Sequence, residues 1–232
     1  MKIILLLAAG LLLAACAQTA PTPDTIVKPT EPPATHFVDA YPKQGDQFAR
    51  VPDKVLVNFN IALQPQSSIT VTRDGKPVQT GTLTFGQNKI SISAALPSDA
   101  GDGKFLVRFS GVKSDQTVTA GEFTFTVDSK SASAYLDFTG KSDVTIKMKD
   151  IKFAPALIRV SPKTKVTWIN DDPIPHFVNS DPHPSHNAFR ALNTLDLAKD
   201  AAYSFTFDQP GEWAYHCSAH VPANMFGRVI VE

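Results

Sequence analysis

Short runs of alternating apolar and polar residues recur from Val55 to the C-terminus. Val144, Ile146 and Met148 point one way, and Thr145 and Lys147 point the other. This period of two belongs to a strand with one buried face. Val55-Leu56-Val57-Asn58-Phe59, Ile69-Thr70-Val71-Thr72, Ile90-Ser91-Ile92, Phe105-Leu106-Val107-Arg108-Phe109 and Phe123-Thr124-Phe125-Thr126-Val127 read as further strands. Asp74-Gly75 is a hairpin turn signal. Later, Lys165-Val166-Thr167-Trp168-Ile169-Asn170 forms a strand, Tyr203, Phe205 and Phe207 share a face, and Val229 and Val231 close the sheet. Trp213, Tyr215 and Cys217 alternate on one face after the Pro210-Gly211 turn. No helix-period segment of useful length interrupts this pattern. The expected fold class is all-β, with two Greek-key β-sandwich domains. The first spans residues 36–127 with about seven strands. Residues 128–140, containing Ser-Lys-Ser-Ala-Ser, read as a linker, and the second domain spans residues 141–232.

The N-terminus follows different rules. Lys2 precedes an apolar run too short for a comfortable membrane span. The run ends in Leu13-Ala14-Ala15-Cys16, which resembles the bacterial lipobox. The expectation is a signal peptide over residues 1–15 and a lipid-modified Cys16. Ala17 after that cysteine resembles an outer-membrane sorting signal, which places the protein at the cell envelope, lipid-anchored and facing the periplasm. Pro21, Pro23, Pro29, Pro32 and Pro33 fall in a Pro- and Thr-rich stretch. Residues 16–35 therefore read as the lipidated Cys followed by a disordered, extended stalk.

A length of 232 residues allows two ordinary domains, and a formal net charge of zero offers nucleic acid no basic surface. With Cys16 acylated, Cys217 is the only free thiol in the mature chain. An exported chain with one thiol needs that sulfur occupied, because such compartments oxidise exposed thiols.

Metal coordination answers that need. Tyr215-His216-Cys217-Ser218-Ala219-His220, followed by Met225, puts a thiolate, an imidazole and a thioether on one loop. That donor set suits copper better than zinc, iron or magnesium. His176, in Pro175-His176-Phe177-Val178-Asn179, is the leading candidate for a second imidazole. Met148 lies on the apolar face of a strand and reads as core. Alternation puts His216 opposite Cys217, in a surface or interdomain role rather than a ligating one. Asp181-Pro182-His183-Pro184-Ser185-His186 is a proline-stiffened loop with two imidazoles and a carboxylate. It reads first as a solvated rim. Its alternative is a second metal site formed by Asp181, His183 and His186.

From Val144 onward the chain resembles a cupredoxin of the plastocyanin and pseudoazurin type. The resemblance rests on the Cys-x2-His-x4-Met spacing, on an upstream His after an Asn-Asp-Asp turn, and on the lead-in Phe-Asp-Gln-Pro-Gly-Glu-Trp-Ala-Tyr-His-Cys. It implies one type 1 blue copper per chain, with His176, Cys217 and His220 as equatorial ligands and Met225 axial. One departure concerns the residue after the first His. Many family members carry Asn there, helping to hold the copper loops together, and here it is Phe177.

The first domain resembles CopC-like copper-resistance proteins, an immunoglobulin-like sandwich. The likeness lies in the opening His36-Phe37-Val38-Asp39-Ala40-Tyr41-Pro42 and in the ending around Ser114-Asp115-Gln116-Thr117. The family's cupric site uses an N-terminal His, an Asp and a His two residues past it. His36 and Asp115 match, but Thr117 stands where the second His belongs, and the stalk deprives His36 of a free amine. A vestigial site that binds copper weakly or not at all is expected, with the domain serving as scaffold or docking module.

These readings favour an electron carrier at the bacterial cell envelope, not an enzyme. Its partners would be redox proteins, with the membrane reached through the lipid anchor. His220 would pass the electron, inside an apolar rim of Val221, Pro222, Ala223 and Phe226. The alternative is a periplasmic protein that binds, stores or delivers copper in homeostasis or resistance. A copper enzyme fits less well, since the six histidines include no His-x-His.

Overall fold

The computed structural model describes residues 36–232. The predicted signal peptide, the Cys16 lipidation site and the stalk lie outside the described residues. Residues 36–232 fall within one compact unit.

The first sandwich contains β1 (Phe37–Tyr41), β2 (Gln47–Phe48), β3 (Lys54–Phe59), β4 (Ser68–Arg73), β5 (Lys76–Pro77), β6 (Thr84–Phe85), β7 (Ser91–Ala95), β8 (Gly103–Val112) and β9 (Val118–Val127). One sheet runs β1-β3-β7-β6 and the other β2-β9-β8-β4-β5. The count exceeds the expected seven because β2, β5 and β6 are two-residue strands, too short to show a period. Asp74 and Gly75 both take positive φ, of 48° and 78°, and so close the β4–β5 hairpin. Between the sheets, Tyr41, Phe48, Phe59, Phe105, Phe109, Phe123 and Phe125 form the aromatic part of the core.

The second sandwich contains β10 (Leu136–Asp137), β11 (Asp143–Lys149), β12 (Lys152–Ala154), β13 (Leu157–Val160), β14 (Thr164–Asn170), β15 (Asn179–Ser180), β16 (Ala202–Phe207), β17 (Gly211–His216) and β18 (Phe226–Val231). Its sheets run β12-β11-β14-β16 and β10-β13-β18-β17-β15. In β11, burial alternates strictly, with Val144, Ile146 and Met148 inside. Met148 is thus core, packed in the cluster that also holds Trp168, Tyr215, Cys217 and Met225.

The linker reading of residues 128–140 needs amending. Leu136 and Asp137 pair in parallel with Ile158 and Arg159, so the second sheet starts before residue 141. The Ser129–Ala134 segment is a short 3-10 turn capped by the Asp128 side chain. Two paired residues are too few for alternation to reveal, and the polar turn ahead of them looks like free chain.

Strand β17 has two buried faces. Trp213, Tyr215 and Cys217 point into the second core, while Ala214 packs with the first domain's core. Glu212, beside Ala214, accepts hydrogen bonds from the Ala49 and Arg50 amides at 2.7 and 3.0 Å, through Oε2. Its Oε1 accepts from Tyr135 Oη at 2.7 Å and from Arg228 at 2.9 Å. A buried carboxylate is tolerated when donors surround it in this way. Further bonds tie the domains together. Asp39 accepts from the Ser185 amide at 3.0 Å, Asn58 and Asn187 exchange amide bonds of 3.1 and 2.7 Å, and Lys43 pairs with Asp181 at 3.0 Å.

Candidate metal centre

Cys217 directly follows β17, at the point where the chain leaves the sheet, and a 3-10 turn over Ser218–Ala223 comes next. The turn brings His220 back over the sulfur, and β18 begins beside Met225. Asn224 permits the reversal by adopting a left-handed φ of 58°. The Cys217 amide donates to the Met225 carbonyl at 3.0 Å, which closes the loop at its base. His176 arrives from the loop between β14 and β15. A backbone pair with Leu197, at 3.1 and 2.7 Å, fixes its position.

The structure brings the donor atoms of His176, Cys217 and His220 together. His176 Nδ1 and His220 Nδ1 lie 3.1 Å apart, and Cys217 Sγ lies 3.6 and 3.2 Å from them. Two nitrogens each about 2.0–2.1 Å from a shared ion sit about 3.3 Å from each other, so this spacing fits one metal. Met225 is fully buried, in the same apolar cluster as Cys217. One soft sulfur, two imidazoles and a nearby thioether fit copper.

The groups behind these donors decide their orientation. His176 Nε2 sits 2.8 Å from Asp172 Oδ2. That contact places the ring hydrogen on Nε2 and leaves the Nδ1 lone pair facing the sulfur. Asp172 also accepts the Asp150 and Ile151 amides at 2.8 and 3.0 Å. Burial raises its carboxyl, but these donors and His176 outweigh that and leave it below the usual carboxylate range. Burial likewise pushes the Cys217 thiol up, against the amides of Phe177, Ala219 and His220. Metal binding must therefore displace a proton from the sulfur.

The departure at Phe177 is compensated. Its backbone N–H, which any residue supplies, donates to Cys217 Sγ at 3.3 Å. The loop-tying amide comes from Asn179 instead. Its Nδ2 donates to Ser218 Oγ at 2.8 Å and its Oδ1 accepts the Thr194 amide at 2.9 Å. Sequence reasoning missed Asp172 and Asn179. The first was visible only as part of a turn, and the second sits two places from the position where family pattern sought it.

The remaining candidates are placed as follows. His183 and His186 come together, and His216 joins them from β17. Asp181 stands behind His216, with Oδ1 2.6 Å from His216 Nδ1. His36 bonds to Asn60 at 3.0 Å, and Asp115 accepts from the Thr117 amide and hydroxyl at 3.0 and 2.7 Å. Phe226 belongs less to the predicted rim than to the domain boundary. It pairs across strands with His216, and the Lys43 ammonium lies 4.6 Å above its ring. Val221, Pro222 and Ala223 do lie on the exposed or half-buried turn with His220.

Comparison with known proteins matches both halves of the chain. Residues 37–128 match the family model described as CopC domain. Residues 140–232 match the model described as copper binding proteins, plastocyanin/azurin family. The plastocyanin of Scenedesmus fuscus is 32% identical over 98 residues, covering 39% of this chain and all of that protein. The chloroplastic plastocyanin of Tetradesmus obliquus is 34% identical over 84 residues, and the match spans 34% of this chain and 58% of that protein. Among solved structures, CopC from Methylosinus trichosporium OB3b is 30% identical, with 40% of this chain and 91% of that chain covered and a TM-score of 0.36.

Proposed function

We propose that this chain, which belongs to the plastocyanin/azurin family of copper-binding proteins and carries a CopC domain ahead of its cupredoxin domain, carries single electrons at the bacterial cell envelope. The observation behind this reading is the convergence of two imidazole Nδ1 atoms on one buried thiol, 3.1–3.6 Å apart. His176, Cys217 and His220 would hold one copper, with Met225 as the weak fourth donor. Copper in such a site supplies a one-electron couple.

The protein's own contribution is rigidity and exclusion of water. Asp172 fixes the His176 ring, the Phe177 amide steadies the sulfur, and Asn179 locks the two loops together. A site held on every side resists rearrangement, which keeps the reorganisation accompanying electron exchange small. Cys217, His176 and Met225 are fully buried, whereas His220 is only half-buried. His220 is therefore the natural exit, with Val221, Pro222 and Ala223 offering a partner protein a small apolar surface for brief encounters. We read the anchor as Cys16 in the outer membrane, facing the periplasm, and the partners as redox proteins.

A second reading, copper storage or delivery, draws support from the CopC domain alone. One experiment tests the proposal and separates the two. Cupric ion is added to the purified full chain, the visible spectrum is recorded, and the sample is then cycled redox-wise beside a competing chelator. An intense thiolate-to-copper band, absent in Cys217→Ser and surviving many cycles without copper loss, supports the carrier. A colourless folded protein overturns the site, and rapid surrender of copper overturns the carrier in favour of delivery.

A further inference from the structure

His216 is fully buried at the end of β17, turned away from the first metal centre and toward the proline-stiffened loop. His183 Nδ1 lies 3.2 Å from His186 Nε2, and His186 Nε2 lies 3.2 Å from His216 Nε2. All three donor atoms fall within 4.8 Å of one another. We propose that His183, His186 and His216 bind a second divalent transition-metal ion, copper in preference to zinc, through these three nitrogens.

The convergence of three imidazole nitrogens from two separate segments carries the argument. His216 Nδ1 is committed to Asp181 Oδ1, at 2.6 Å. Its Nε2 is therefore the nitrogen turned to the cluster. His186 Nε2 faces that nitrogen, the His183 nitrogen and the Ser218 hydroxyl oxygen at 3.1 Å. Imidazole nitrogens that converge in this way suit a shared cation, and the 3.2 Å contacts match the separation of about 3.3 Å expected around one ion.

Asp181 is not a donor in this site. Its Oδ1 is engaged by His216 and its Oδ2 by Lys43 Nζ at 3.0 Å. A carboxylate behind an imidazole is the usual backing of a ligating His. The loop is also preassembled from outside. Asp39 accepts the Ser185 amide at 3.0 Å, Asn58 grips Asn187, and Asn193 Nδ2 donates to the His186 carbonyl at 2.6 Å. Asp39, Lys43 and Asn58 come from the first domain. That domain would therefore act as builder of this second site, whether or not it holds copper itself.

Three imidazoles with no thiolate suit copper, zinc or nickel, and cupric ion stands highest in the divalent affinity order. His183 is exposed, which gives the ion a way in and leaves a position open to a small ligand. The site does not need the Cys217 sulfur, so it stands or falls separately from the first.

Metal stoichiometry and electron paramagnetic resonance of the full chain test it. After excess cupric ion and removal of loosely held metal, we expect two coppers per chain, one showing the thiolate band and one an ordinary nitrogen-ligated cupric signal. His183→Ala combined with His186→Ala should leave one copper with the thiolate band unchanged. Cys217→Ser should leave one copper without that band. Those two histidines are loop residues at or near the surface, so the fold should survive, which circular dichroism checks. A wild-type chain that stops at one copper, or a double variant that still holds two, overturns the site. Zinc displacing copper from it at equal concentration overturns the metal preference.

Discussion

His216 and Cys217 are neighbours in the chain whose side chains serve different sites. The Cys217 sulfur lies 3.2 Å from His220 Nδ1 inside the second core, while the His216 ring lies 2.6 Å from Asp181 at the domain boundary. Strand alternation sends consecutive side chains to opposite faces, and β17 is buried on both. One strand end thereby supplies the first centre's thiol and the second cluster's innermost imidazole.

The carboxylate behind His176 should control copper affinity without controlling the fold. Asp172→Asn keeps the shape but removes the charge that orients the ring. Copper affinity should fall about 10- to 100-fold, with the thiolate band still present. Competition against a chelator of known strength measures this. An unchanged affinity would mean that the ring is held by its surroundings alone.

Glu212 should couple the two sandwiches. Its two oxygens accept four hydrogen bonds, from Ala49, Arg50, Tyr135 and Arg228. Glu212→Ala strips the half-buried Arg228 of its main partner, leaves the Ala49 and Arg50 amides without an acceptor, and should cost about 3 kcal/mol. Calorimetry should show the domains beginning to melt separately. A single unshifted transition would contradict this.

Gly227 leaves room for Tyr215. The two are cross-strand partners, and a Cβ on Gly227 would fall inside the tyrosine's van der Waals envelope, against its ring and hydroxyl. Gly227→Ala should destabilise the second domain by about 1–3 kcal/mol through overpacking. Denaturant unfolding checks the magnitude. Rescue by adding Tyr215→Leu would locate the clash at that ring.

Acid should loosen the start of the second domain. Asp137 accepts bonds from the Thr139 amide and from Arg159, which hold its carboxyl at about 2, below the ordinary 3.8. A depressed carboxyl stabilises the fold above its ordinary pKa, and that contribution fades as pH falls from about 4 toward 2. Hydrogen exchange at β10 should quicken over that interval. In Asp137→Asn the same acid dependence should vanish.

Much of this molecule was legible from residue pattern. Alternation in Val144, Ile146 and Met148 and in Trp213, Tyr215 and Cys217 identified buried faces, because a strand's period is a local property. What alternation could not reveal was the occupant of the opposite face. His216 read as a surface or interdomain residue opposite Cys217, and only the docking of the first domain makes that face a second interior, which Glu212 shares.

The sequence by itself therefore determined the β class, the two sandwiches and the donor types of the copper centre. Each depends on residue chemistry and on spacing within a few positions. Tertiary structure alone decided that Asp172 backs His176, that Asn179 ties the loops, and that His216 meets His183 and His186. Those contacts join loops distant in sequence or hang on how a loop bends, and their geometry is set by how sheets and domains pack.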